Sequence, residues 1–83
     1  MKLTVKLYAG LKQFLPDDAQ DNAMMIEIDN DATINSVLER FSVPAERAHL
    51  VLLNGVYINP EERDARNIND GDTLSIWPPV FGG

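Results

Sequence analysis

Thr33-Ile34-Asn35-Ser36-Val37-Leu38-Glu39-Arg40-Phe41, TINSVLERF, is where the chain changes its period. Ile34, Val37, Leu38 and Phe41 fall at i, i+3, i+4 and i+7, an apolar stripe along one side of a helix. Thr33 is the expected N-cap, its hydroxyl accepting an otherwise unpaired amide of the first turn. Pro44 cannot continue the helix, so the helix should end near Ser42. Residues 44–47 are expected to form one further short turn.

On both sides of this stretch the period is two. Upstream, Leu3, Val5 and Leu7 alternate with Lys2, Thr4 and Lys6, which predicts a half-buried strand over 2–7 with one wet face. A second strand is expected over 23–29, with Met24, Ile26 and Ile28 inward and Glu27 and Asp29 outward. Between them, Leu11, Phe14 and Leu15 have helical spacing and predict one or two turns before Pro16. Downstream, the apolar runs 49–53 and 56–58 meet at Asn54-Gly55, a strong hairpin signal. Residues 59–69 read as a polar surface loop. Asp70-Gly71 turns the chain into a last strand over 73–77, with Leu74 and Ile76 inward. The order is β-β-α-β-β-β. One helix with one apolar stripe must cover one mixed sheet, which makes this an α+β fold in two layers.

The composition narrows the function. At 83 residues the chain fits one core, and thirteen acids against seven bases give a net charge of −6. Nucleic-acid phosphates would be repelled, so no nucleic-acid partner is expected. Solubility explains such acidity most simply, and steering toward a basic partner is the sharper reading. No window is long and apolar enough for a membrane span, and the start MKLTVKLYAG lacks a long apolar signal core, so a cytoplasmic protein without membrane contact is expected. With no cysteine, disulfides, cysteine-based zinc sites and a thiol nucleophile are excluded.

The body offers no catalytic constellation. His49, the only histidine, stands at a strand start without a partner set and reads as structural or surface. The carboxylates are scattered, and no pair is specific enough to name an acid and a base. Asn67-Ile68-Asn69-Asp70-Gly71-Asp72 fails as a calcium loop, because Ile68 stands where an oxygen ligand is needed. Phosphate-cradling glycine motifs are absent as well. No metal and no bound cofactor are expected.

Chemistry is therefore expected at the end, Trp77-Pro78-Pro79-Val80-Phe81-Gly82-Gly83. Two prolines fix φ and hold their predecessors extended, which predicts a stiff arm leaving the sheet, flexible as a whole in the free protein. Residues 78–83 reach roughly 20 Å at ~3.1–3.3 Å per residue. Val80 and Phe81 would anchor in a partner, while Gly82 and Gly83 could thread a narrow channel. A carboxylate at Gly83 is a poor electrophile until activated, most simply as an acyl-adenylate made by an ATP-using partner. It could then accept sulfur, giving a thiocarboxylate, or an amine, giving an isopeptide. The bland alternative is a loose diglycine end on an interaction module.

The ending Pro78-Pro79-Val80-Phe81-Gly82-Gly83, the turn Asp70-Gly71-Asp72, the hairpin Asn54-Gly55 and the helical insert after Tyr8-Ala9 together resemble the ubiquitin-like β-grasp sulfur carriers of the MoaD/ThiS family, most closely the molybdopterin synthase small subunits. The resemblance spans the chain. It implies a β-grasp domain over 1–77 and a tail over 78–83. It further implies that Gly83 is adenylated by an E1-like adenylating enzyme, converted to a thiocarboxylate, and inserted into the large subunit of molybdopterin synthase. On that reading the protein is no enzyme alone but the sulfur-donating small subunit of one, a monomer when free. Phe81 departs from the small residue that many relatives carry there. Sulfur carriers for thiamin, cysteine or natural-product pathways, and protein modifiers joined through Gly83, share the same fold and ending.

Overall fold

The computed structural model describes residues 1–79. Strand β1 (Lys2–Leu7) is followed by a 3-10 turn (Ala9–Phe14), β2 (Ala23–Glu27) and helix α1 (Ile34–Arg40). A short 3-10 turn (Ala45–Arg47) leads to β3 (Leu50–Leu53) and β4 (Val56–Tyr57). A third 3-10 turn (Pro60–Glu62) precedes β5 (Asp72–Trp77). The sheet order is β2-β1-β5-β3-β4. β1 and β5 run parallel in its centre, with Leu3 opposite Asp72 and Leu7 opposite Ile76, and all other pairs are antiparallel. This is the expected mixed sheet under one main helix.

The inward faces follow the sequence period. Leu3, Val5, Leu7, Leu74 and Ile76 are sealed from solvent beneath Ile34, Val37 and Leu38, with Ile26 and Ile28 beside them. Leu11 fills the core from the first 3-10 turn, while Phe14, Leu15 and Met24 pack only partly against it.

Local chemistry sets the helix ends. Thr33 Oγ1 accepts the Ser36 amide at 3.1 Å, and Ser36 Oγ accepts the Thr33 amide at 2.9 Å, a reciprocal cap with serine where glutamate is commoner. At the other end Ser42 adopts φ of 60°, the Ser42 amide bonds Glu39 O and the Val43 amide bonds Leu38 O. These two bonds and the left-handed residue form a Schellman stop. The helix therefore closes one to two residues before Ser42, and Phe41 is its C-cap. Phe41 is half-buried, contrary to its expected place in the full core stripe, because the turn at Ser42 sends Val43 inward instead.

Two further expectations are corrected. Residues 59–69 do not form a freely solvated loop: Arg63 and Ile68 are buried, and Arg63 O accepts the Ile34 amide at 3.2 Å, satisfying an open donor of the α1 N-terminus. The polar composition concealed two inward anchors. Likewise β2 stops at Glu27 rather than Asp29, although Ile28 remains buried and its amide bonds Met1 O at 2.8 Å.

The Asn54-Gly55 hairpin is as the dipeptide predicts, with φ of 53° and 82°, the conformation a two-residue type I′ turn requires. Asn54 does more than turn the chain. Its Oδ1 accepts the Thr73 amide at 2.8 Å, and its Nδ2 donates to Asp72 Oδ1 at 2.8 Å. Asp72 Oδ2 accepts the Asn69 amide at 2.8 Å, and Asp70 Oδ1 accepts the Lys2 amide at 2.7 Å. The aspartates of the Asp70-Gly71-Asp72 turn thus fasten neighbouring segments as well as their own loop, and β5 begins at Asp72, one residue early.

Candidate functional site

The site is the place where β5 releases the chain. β5 lies between β1 and β3, so its end is held on both sides: the Tyr8 amide donates to Ile76 O at 3.1 Å and the His49 amide to Trp77 O at 3.0 Å. Pro78 and Pro79 then have no N–H to offer, and the ladder stops there. A tail leaving a central strand starts from a fixed point. That is the useful mechanical property.

Trp77 points to the sheet face opposite α1, alternating with buried Ile76. Its indole stacks on the Tyr8 ring, with centroids 4.1 Å apart and planes 4° from parallel. Ala9, His49, Leu50, Trp77, Pro78 and Pro79 line an open groove of 380 Å³ with almost wholly apolar walls. Leu50, 36% exposed, is the large aliphatic side chain on its rim. Ala9 holds φ of 51°, an uncommon state for alanine, where the chain turns away beside Tyr8.

Of the site residues expected from sequence, Pro78 and Pro79 are half-buried in this groove. Val80, Phe81, Gly82 and Gly83 lie outside the described residues, as does the expected flexibility of the tail. His49 is exposed and borders the groove, a surface position. Sequence reading missed Tyr8 and Leu50. Tyr8 stood out only as the start of the helical insert and Leu50 only within an apolar run, and it is the register of β5 against β1 and β3 that brings them to Trp77. Among the described residues, no group of three or more histidine and acidic side chains is arranged to hold a metal ion. No helix among them is long and apolar enough to cross a membrane.

A family model described as Mut7-C ubiquitin matches residues 1–81. The chain belongs to the Mut7-C ubiquitin family. No curated protein matches this Mut7-C ubiquitin chain. Among solved structures it is similar to the HVO 2177 protein of Haloferax volcanii, at 26% identity and a TM-score of 0.77, covering 100% of this chain and 87% of that one. It is also similar to small archaeal modifier protein 1 of H. volcanii, at 24% identity and a TM-score of 0.68, covering 95% and 98%. A third likeness is to the complex of subunits 1 and 2 of molybdopterin-converting factor from Helicobacter pylori, at 21% identity, a TM-score of 0.63 and full coverage of both chains. The last two share its ubiquitin-like β-grasp fold. The H. pylori structure also has a protein of this fold in complex with a second subunit.

Proposed function

We propose that this Mut7-C ubiquitin domain is a sulfur carrier whose Gly83 carboxylate is activated and converted to a thiocarboxylate for molybdopterin synthesis. The observation that carries the reading is the exit of the chain from a central strand through Pro78-Pro79, beside an apolar groove, into Val80-Phe81-Gly82-Gly83. The domain supplies a rigid handle. The groove gives a partner something apolar to grip at the base of the tail, and the diglycine offers a carbonyl with no side chain in the way.

In the proposed sequence an E1-like partner uses ATP to make the Gly83 acyl-adenylate and releases pyrophosphate. A sulfide-equivalent donor then attacks the carbonyl, AMP leaves, and the thiocarboxylate remains. The large subunit of a molybdopterin synthase takes the tail, the molybdopterin precursor held there accepts the sulfur, and water supplies the oxygen that restores the Gly83 carboxylate for another round. ATP belongs to the activating partner, and this chain contributes position and a leaving sulfur. The chemistry requires a free carboxylate at Gly83, so a native protein extended beyond it must first be cleaved there.

The test is to incubate the protein with ATP, a matching activating enzyme and a sulfur donor, and to measure its intact mass. Replacement of one terminal oxygen by sulfur, followed by its loss on addition of the large subunit and the molybdopterin precursor, is the expected result. Formation of a lysine isopeptide instead, with no thiocarboxylate, would assign the domain to protein modification.

A further inference from the structure

Arg63 stands in the stretch that reads as a polar loop, yet only 5% of its surface is exposed. Its Nε is sealed from solvent with no hydrogen-bond partner, and no ion pair compensates its charge among the described residues. A guanidinium keeps its charge at every physiological pH, and a buried charge without a counter-ion is costly. The fold holds Arg63 there regardless, since its backbone carbonyl caps α1 through the Ile34 amide.

The side chain lines an open pocket of 560 Å³ at the side of the domain. Ala45, Ala48 and Pro60 form its apolar walls, while Asn35, Glu46 and His49 bring polar groups. We propose that this pocket is a carboxylate-binding site, in which Arg63 pairs with the carboxylate and the Asn35 amide supplies a further donor. A planar guanidinium matches the two oxygens of a carboxylate. The charge count selects a monoanion. A dianionic phosphate would crowd surplus negative charge against Glu46, in a chain of net charge −6.

The carboxylate comes either from a small molecule or from an aspartate or glutamate of a protein partner. His49 borders both this pocket and the apolar groove at the tail, so an acidic side chain beside an apolar contact would engage the two together. The assignment itself does not depend on sulfur transfer.

The test uses the whole chain labelled with nitrogen-15, following the Arg63 Nε–H and the amides of Asn35 and His49 at constant ionic strength. Acetate, the blocked peptide acetyl-Gly-Glu-Gly-amide, phosphate and chloride are titrated separately. Saturable shifts with acetate or the peptide are expected; tighter binding of the peptide assigns the site to a protein partner, and tighter binding of acetate assigns it to a small carboxylate. Arg63→Gln should weaken binding by about tenfold or more. Glu46→Gln should tighten it severalfold, and because Glu46 is exposed this variant keeps the test valid if Arg63→Gln fails to fold. Shifts that are linear and equal with chloride, tighter binding of phosphate than of acetate, or indifference to Glu46→Gln would overturn the proposal.

Discussion

The indole of Trp77 lies flat on the ring of Tyr8, 4.1 Å between centroids, at the point where the last strand ends and the tail begins. The two residues are far apart in sequence and meet because β1 and β5 pair in parallel, with Leu7 opposite Ile76. Tyr8→Ala should remove the stack, costing about 1–2 kcal/mol from the aromatic pair and its lost contact area. Trp77 is the only tryptophan, so its emission reports on this site alone. Equilibrium denaturation followed by that emission measures the loss. An unchanged spectrum in the variant would mean that the rings do not stack in solution.

A separate prediction concerns the hairpin. Asn54→Gly preserves the positive φ of the turn but deletes both side-chain bonds, to Asp72 and to the Thr73 amide. The expected cost is about 1–3 kcal/mol, because the partly buried Asp72 is left with one partner fewer. Asn54→Ala should cost more, since alanine also disfavours φ of 53°. Equal stabilities of the two variants in urea would remove backbone strain from the explanation.

In the core, Leu38 and Phe41 should part company. Leu38 is 3% exposed, and its truncation to alanine should cost about 2–5 kcal/mol. Phe41, half-buried at the helix C-cap, should cost less on truncation despite its greater size. Thermal denaturation of both variants decides this, and a larger loss for Phe41→Ala would put the buried stripe of α1 on the wrong side.

For the tail, three changes should separate function from folding. Deleting Gly83, or adding one residue after it, moves the reacting carbonyl by about 3.5 Å and should abolish sulfur transfer. Gly82→Val should block transfer sterically. All three should leave the unfolding midpoint near that of the parent protein, because Ile76 is the last buried core side chain among the described residues. Thiocarboxylate formation scored by intact mass, alongside a melting curve, gives both readouts. Full transfer by a protein that stays extended past Gly83 would refute the carrier reading.

What the sequence determined, it determined through local rules. The alternation in Lys2–Leu7 and the stripe from Ile34 to Leu38 fix which faces are apolar, because side-chain direction depends only on strand or helix geometry. Thr33 as a cap and Asn54-Gly55 as a turn follow from what each residue does to its own backbone. The tertiary structure decided everything that requires a partner distant in the chain. Polarity gave no sign that Arg63 and Ile68 are drawn inward, since that depends on the segment meeting the N-terminus of α1, where Arg63 O accepts the Ile34 amide, and on the core that Ile68 joins. Phe41 and Val43 are both apolar next to a helix end, and the left-handed turn at Ser42 chose between them. Tyr8 reached Trp77 only through strand register. Register is set by the summed burial of whole strand faces, a quantity that no local stretch contains.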